Sequence, residues 1–468
     1  MDMVLGIDVG TTNIKACLFA VTGGLVSMSS TRTPVTIDGT FGECHVAQDL
    51  WHAVSLVVKD CLQDAEERLH QTVHVHALSV ASFAEEGVFL DLQGQPVSPV
   101  IPWYDERTKY QVHEIARVID PAHLRCLTGM PLDRSFSLCK ILWMKENHPS
   151  AFSKSAMFVP VSDYINFQLT GQLAVSPSLA SRTLLYSPFR NCWLDEVASL
   201  FDLPLMMFPS ILAGGEVLGS VTPEVAQATG LSEDAVVIMG GHDDACAALG
   251  AGVLRPGTGI LSSGTAEAIY VIAPGNEVET QSPSLCIGRD ATGSTLYLSD
   301  FVATGALIRW TMEHMRVTDS LSQQDIYQAI ALAAKNALRK PATERFSFTR
   351  DPISLSSFSW SYIHEKSSAI DLLTAVIEAT ATATKKILWE IGRIVGQRPT
   401  SLVACGGLCS IPEYAALKSE RLSCDLYVHP YTELTAGGAA VLAAKGSQVF
   451  STWDDAVSTL LTHGEGNQ

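Results

Sequence analysis

The chain has 468 residues, 47% of them hydrophobic and only 17% charged, with a formal net charge of −18. Such a length exceeds what one hydrophobic core supports and predicts two domains of roughly 200 residues each. The acidic balance excludes a duplex-binding surface, and the longest apolar runs fall well short of the ~20 residues of a membrane-spanning helix. Neither nucleic acid nor a membrane is therefore an expected partner. The N-terminus lacks a basic segment followed by an apolar one, so a cytoplasmic location is expected. The 11 cysteines run from Cys17 to Cys424. Their odd number and apolar settings read as small buried hydrophobes in a reducing compartment. Cys405 and Cys409 have only glycines and a leucine between them and no histidine nearby, which does not make a metal site.

The first element is "LGIDVGTTNIKACLFA" (5–20). Two short apolar strands around a Gly-Thr-Thr-Asn turn predict a β-hairpin. Its tip offers backbone N–H groups, two hydroxyls and Lys15, with Asp8 just before the turn. That set can hold phosphate oxygens and orient a metal, or it can be an ordinary polar hairpin tip. "VHVHALSVAS" (73–82) reads as a strand, and with "GVFLD" it predicts another strand–turn–strand unit. His74 and His76 share one face there, with no carboxylate or cysteine at hand, and read as a solvated strand face. "FSLCKILWMKENHP" (136–149) and "SDYINFQLTG" (162–171) read as helices, the second with Ser162 as N-cap and Gly171 past its end. "DAVVIMGGHDDACAALGAG" (234–252) predicts a buried strand, a glycine turn and a helix of small residues.

"GTGILSSGTAEAIYVIA" (257–273) repeats the form of the opening hairpin, which implies two halves with related cores. A long helix over 367–392 follows. After it come the strand "SLVACGG", the helix "IPEYAALKSERL", the strand "CDLYVHP" and the small-residue helix start "TAGGAAVLAA". Glycines concentrate at 240–256, where the hinge is placed, dividing the chain into 1–245 and 246–468.

Four glycine-bearing turns thus stand in order: "DVGTTNIK", "GGHDD", "SSGT" and "ACGGLCS", followed by "ELTAGGAAVLAA". Together with "IPWYDERT" (101–108) and "DYINFQLTG", this series resembles the FGGY family of carbohydrate kinases over nearly the whole chain. That family lies within the actin-like and heat-shock-protein-like ATPase superfamily. The resemblance implies an α/β fold of two actin-like (ribonuclease H-like) domains, each a mixed sheet flanked by helices. The first, 1–245, would carry one phosphate loop and the sugar-binding elements. The second, 246–468, would carry the other phosphate loop and the adenine turn. It also implies ATP and Mg²⁺ as cofactors and a small sugar or polyol as substrate.

Phosphoryl transfer asks the protein mainly to align the γ-phosphate with a nucleophile, neutralise charge and accept a proton. On this reading Gly10, Thr11, Thr12, Asn13 and Lys15 donate to the β- and γ-phosphates. Asp8 lies near Mg²⁺, through waters, since Mg²⁺ keeps much of its hydration shell. Gly264 and Thr265 grip the phosphates from the other domain, Thr12 and Thr265 facing one another across a cleft. Gly305, Gly406, Gly407 and Leu408 hold the nucleotide. No GxxxxGK[ST] occurs, so the chain is not a P-loop protein.

Asp243 falls where the family's Gly-x-x-Asp pattern puts the catalytic base. Taken alone, Asp243 and Asp244 are also compatible with simple acids at a helix start. Asp244 would bind a substrate hydroxyl or merely cap. On the sugar side, Glu86 matches a polyol-binding glutamate of the glycerol-kinase branch, which has an arginine where this chain has Glu85. Trp103 offers a flat apolar wall, Asp105 and Arg107 come from the Trp-x-Asp-x-Arg element, and His242 adjoins the base. Convergence of Glu86, Asp105 and Asp243 would favour a neutral pentulose, hexulose such as xylulose, or polyol. Arg107 or Lys140 could instead pair with a sugar acid such as gluconate. The segment 342–360 does not match the family's Gly-x-Arg-x-Pro region, and the usual Glu-Gly appears as Glu378-Ala379. A kinase of a small hydroxylated signal molecule and a non-catalytic sensor are the alternatives. The presence of Asp8, Lys15, Asp243 and Thr265 argues for an active enzyme. A homodimer is compatible with this reading, and the sequence does not fix the assembly.

Overall fold

The computed structural model describes residues 1–461 except 277, 279–281, 283, 318–321 and 349–357. Part of the unmatched 342–360 segment thus lies outside the described residues. The chain forms two compact units: Met1–Leu254 with Cys286–Tyr297 and Glu433–Gln468, and Arg255–Leu285 with Leu298–Thr432. A single division at 245/246 does not describe them, because the chain returns to the first unit for its last helices.

The first unit is built on a six-stranded sheet. Its strands are β1 (Asp2–Val9), β2 (Asn13–Ala20), β3 (Leu25–Arg32), β4 (His74–Ser82), β5 (Val217–Ser220) and β6 (Val236–His242), in the order β5-β6-β4-β1-β2-β3. β1 and β2 form the expected antiparallel hairpin, closing at Val9↔Ile14. β4 runs parallel to both β1 and β6. Central parallel strands are covered on both faces and need near-continuous apolar sequence. Met3 to Ile7 of β1 meets that need and is wholly buried.

The register has a functional consequence. Asp8 pairs with Ala81, and Ala81 with Gly241; one row further on, Val9 pairs with Ser82, and Ser82 with His242. Three strands therefore end together, with Asp8 on one and Asp243 just beyond another.

Two local expectations change. Gly87–Leu90 pairs antiparallel with Met157–Pro160 and not with β4. Glu85, at φ +65°, turns the chain out of the main sheet before it. Ser162 lies inside the helix Val161–Thr170, whose N-cap is Pro160. The other predicted helices form over Ser137–Asn147 and Ala369–Ile394, the latter opened by a reciprocal Ser368/Asp371 capping box. All eleven cysteines are free; Cys126 and Cys192 are exposed, and Cys405 is half-buried. No helix of the described residues is long and apolar enough to cross a membrane.

The second sheet contains β7 (Gly259–Ser263), β8 (Glu267–Ile272), β9 (Cys286–Arg289), β10 (Leu296–Val302), β11 (Ser401–Cys405) and β12 (Asp425–Val428), in the order β9-β10-β8-β7-β11-β12. β7 and β8 form an antiparallel hairpin, while β11 runs parallel to β7 and to β12. The order β10-β8-β7-β11-β12 repeats β3-β2-β1-β4-β6 strand for strand. The likeness of the two hairpin segments in sequence is thus a repeat in topology.

Within the first unit, the helix Leu434–Gly446 packs against β1 and against the helix Asp243–Gly250. The two helices touch backbone to backbone. A Cβ on Gly438 would stand 1.8 Å from the carbonyl oxygen of Cys246, and one on Gly250 2.3 Å from that of Leu434. Replacing Gly438 by Val should therefore force the helices apart and cost at least the ~1–3 kcal/mol typical of overpacking. The check is the denaturant midpoint of unfolding, and an unchanged midpoint would contradict this packing.

Candidate active site

The β1–β2 turn is fastened through its backbone and open at its tip. The N–H of Gly10 donates to Asn13 O at 3.0 Å, and that of Thr33 to Thr12 O at 3.0 Å. Thr33 Oγ1 donates to Gly10 O at 2.5 Å. Thr12 and Asn13 remain exposed. Trp103 Nε1 donates to Thr11 Oγ1 at 3.2 Å, so the aromatic wall predicted for the sugar is tied to the β1–β2 turn. Lys15 is not a free point charge: its ammonium sits 2.6 Å from Glu433, the residue that opens the last long helix. Burial would lower its pKa, but Glu433 and Asp8 outweigh that and raise it.

Asp8 carries the most unbalanced charge of the hairpin. Its Oδ1 is closed off from solvent and has no hydrogen-bond partner. Burial, and after it the neighbouring Asp243, push its pKa up to about 8 against the opposing Lys15. A carboxylate so placed calls for a proton or a cation. An oxygen donor of this kind suits a hard divalent ion.

Asp243 begins its helix directly where β6 ends. The strand end is braced from the side, since the N–H of His242 donates to Ser178 Oγ at 3.1 Å. His242 Nε2 lies 3.1 Å from Asp243 Oδ1, which also accepts the N–H of Asp244 at 2.7 Å. Burial would lower the His242 pKa, but the bond to Asp243 outweighs it and the net shift is upward. His242, Asp243 and Asp244 each offer one ligand atom within 4.8 Å of the others.

The remaining sugar-side residues are held by contacts of their own. Glu86 is wholly enclosed. Its Oε1 accepts the N–H of Trp103 at 2.8 Å, and its Oε2 lies 3.7 Å from His45 Nε2. Burial pushes its pKa up to about 8, opposed by Trp103 and Lys140. Glu86 therefore fixes the backbone of Trp103 through Oε1, while its buried Oε2 has no hydrogen-bond partner. Asp105 accepts from the N–H of Arg107 at 2.7 Å and from its guanidinium at 2.5 Å. Burial would raise its pKa, but these bonds hold it below the ordinary value. Arg107 also donates to the carbonyls of Phe41 and Glu43 and lies over Trp143. Lys140 is buried and donates to Ser135 O. The acids that adjoin Asp243 electrostatically are thus Asp8 and Asp244. Sequence reasoning missed Arg182, which pairs with Glu85 across 97 positions. No local pattern in "ASRTLLY" marks that contact.

In the second unit, Gly264 and Thr265 are exposed at the β7–β8 tip. The N–H of Ala306 donates to Thr265 O at 3.0 Å, and that of Leu408 to Ser263 O at 3.2 Å. A Cβ on Gly305 would lie 2.1 Å from Gly264 O. Gly406, at φ +88°, would put one 2.5 Å from Ser263 O, so only glycine serves there. Gly407 approaches the hydroxyl of Tyr327. The hairpin tip, the start of the helix Thr304–His314 and the Gly406–Leu408 turn are one packed assembly.

A fully buried ion pair lies beneath that assembly: Lys418 Nζ is 2.5 Å from Glu267 Oε1. Glu267 Oε2 accepts from Ser263 Oγ at 2.7 Å and Tyr414 OH at 2.8 Å, and Thr384 Oγ1 donates to Oε1. Burial raises the Glu267 pKa, but Lys418 and the hydroxyls together hold it below the ordinary value.

Residues 3–250 match the N-terminal domain of the FGGY family of carbohydrate kinases, and residues 261–447 match its C-terminal domain. The chain belongs to this family. It is a carbohydrate kinase, a phosphotransferase with an alcohol group as acceptor, and the family implies ATP as donor and a small sugar as substrate. The kinase is 26% identical over 466 residues to an L-fuculokinase of Salmonella typhi, covering 97% of this chain and 94% of that one. It is 26% identical over 459 residues to a xylulose kinase of Bacillus subtilis (strain 168), covering 97% and 90%. Its fold is that of a gluconate kinase from Lactobacillus acidophilus, with a TM-score of 0.87 at 19% identity over 98% of this chain and 92% of that one.

Two outcomes follow for the kinase. Asp8 gains proton affinity on folding, so its ionisation weighs against the fold progressively from about pH 4 to about pH 8. In metal-free buffer, Asp8→Asn should therefore match wild type in Tm near pH 4 and exceed it increasingly up to pH 8. A constant difference across that range would contradict the assignment. Lys418→Met, which strands the Glu267 carboxylate, should cost about 3–5 kcal/mol of unfolding free energy. Glu267→Leu combined with Lys418→Met should recover most of it, as measured by chemical denaturation.

Proposed function

We propose that this kinase transfers the γ-phosphate of ATP to a hydroxyl of a neutral sugar, a ketose of the xylulose type, or of a polyol. One observation carries the preference for a neutral acceptor. The two cations that the sequence offers to a sugar acid already have partners, Arg107 in Asp105 and two carbonyls and Lys140 in Ser135 O. The carboxylates beside the reaction point, Asp8, Asp243 and Asp244, accept from hydroxyls and repel an anion.

In this reading Asp243 takes the proton of the attacking hydroxyl. His242 orients it by the 3.1 Å contact, and the helix start behind it favours the carboxylate form. The tip at Thr11, Thr12 and Asn13 donates to phosphate oxygens. By the family resemblance Gly264 and Thr265 also donate to phosphate oxygens, and the Gly406–Leu408 turn takes the adenine. Mg²⁺ would be held by Asp8, whose unpartnered buried oxygen fits it, and would supply neutralisation of the phosphate charge. Trp103, fixed by Glu86 and Thr11, would face the apolar side of the sugar.

Asp243→Asn should lower kcat by ~10²–10⁴-fold while ATP still binds. Retention of more than about half the wild-type turnover would remove Asp243 from the role of base. A panel of pentuloses, hexuloses, polyols and gluconate tests the substrate class, and a clear preference for gluconate would overturn the neutral-acceptor reading.

A further inference from the structure

Glu85 and Arg182 arrive beside the base by two independent routes. Glu85 lies three residues past Ser82, and Ser82 is the register partner of His242. Arg182 lies four residues past Ser178, one helical turn along the same short run, and Ser178 is the residue that holds the His242 N–H. Each is thus tethered to the strand end that carries Asp243. Their contact is close: Arg182 Nε donates to Glu85 Oε1 at 2.5 Å, and Nη2 meets the same oxygen. Glu85 itself is held in the left-handed region, at φ +65°, with its carbonyl accepting from Ser137 Oγ at 3.0 Å. A non-glycine residue kept in that conformation and pointed at a partner marks a specified position.

The guanidinium is under-used for a largely enclosed group. Two of its nitrogens converge on one carboxylate oxygen. The third, Nη1, has as partner the sulfur of Met130 at 3.6 Å, a weak acceptor. The ring of Phe136 lies 5.0 Å from its centre and covers one face. Nearby, Asp244 is half exposed, beside the base, with burial and Asp243 raising its pKa and His242 and Arg182 opposing the rise. A donor in need of an acceptor and an open acceptor therefore lie within electrostatic reach of one another, next to the group that takes the proton.

We infer that Arg182, positioned by Glu85, is a specificity-determining residue that donates to an oxygen of the neutral sugar while Asp244 accepts from a neighbouring hydroxyl. This rests on the kinase reading above and deepens it. Glu85 already balances the charge of Arg182, so the pair offers directed N–H donors without the net positive charge that would attract an aldonate. The preferred acceptor then carries an acceptor oxygen and a donor hydroxyl beyond the attacked position, as a ketose or a longer polyol does.

The test is steady-state kinetics of the full chain for wild type, Arg182→Met, Arg182→Lys, Glu85→Gln and Asp244→Asn. The panel is neutral ketoses, their epimers, polyols and gluconate, with ATP varied separately and melting temperatures recorded. Loss of a charged hydrogen bond predicts a sugar KM at least tenfold higher in Arg182→Met, with the KM for ATP within about twofold of wild type. Arg182→Lys should recover part of this, Glu85→Gln should reproduce it, and Asp244→Asn should change the ranking of epimers. If Arg182→Met does not fold, Arg182→Lys carries the test through its sugar KM. An active wild type whose Arg182 variants keep its sugar KM and epimer ranking overturns this inference alone. A wild type inactive on every neutral sugar and polyol overturns the proposed function and this inference with it.

Discussion

Like charges held close in a water-poor place set the terms for the first unit. Asp8 and Asp243 are brought to one edge because β1, β4 and β6 run parallel and in register, so Asp8 shares its row with Gly241, two residues before Asp243. Neither acid has a nearby cation to itself, since Lys15 is shared with Glu433. Elsewhere in a protein such an arrangement would be a defect. In a phosphotransferase it leaves room for charge that arrives with the reactants, and the fold must bear it in their absence.

The second unit handles buried charge in the opposite way. Glu267 is surrounded by Lys418 and three hydroxyls, and no lone pair is left for a ligand. Such a pair adds little net stability, but once formed it resists displacement, because losing either partner strands the other. It joins Ser263 beneath the hairpin to Tyr414 and Lys418 on the helix Pro412–Leu422, which follows the glycine turn. Two sheets with the same strand order thus carry opposite electrostatic designs, one left open for chemistry and one closed for rigidity.

What could be read from sequence was what is local. The hairpins at 5–20 and 257–273, the strand–helix junction at Asp243 and the capped helix from Ala369 each declare themselves within one short window. The order of the glycine turns also sufficed for the family. Features that depend on distant partners were not legible. No local pattern around Glu86 shows that it holds the backbone of Trp103 and lies beside His45. Arg107 looks like a free cation until the carbonyls of Phe41 and Glu43 claim it. Lys15 and Glu433 are 418 positions apart, and Glu85 and Arg182 are 97 apart. The return of the chain to its first unit is hidden for the same reason: "TAGGAAVLAA" shows a helix of small residues, but nothing in it names β1 as the surface it covers.

The return of the chain to its first unit bears on the order of assembly. A polypeptide emerging N-terminus first presents β1 and the helix Asp243–Gly250 long before the helix Leu434–Gly446 exists to cover them. During that interval the glycine-lined faces at Gly6 and Gly250 stand bare, and Lys15 waits for Glu433. The second unit, by contrast, has all of its segments once Thr432 has been made. The half that carries Asp8 and Asp243 is therefore the last to be completed. For most of its synthesis the nascent chain displays an unsealed apolar surface, a state that invites chaperone capture and leaves no early fragment able to turn over ATP.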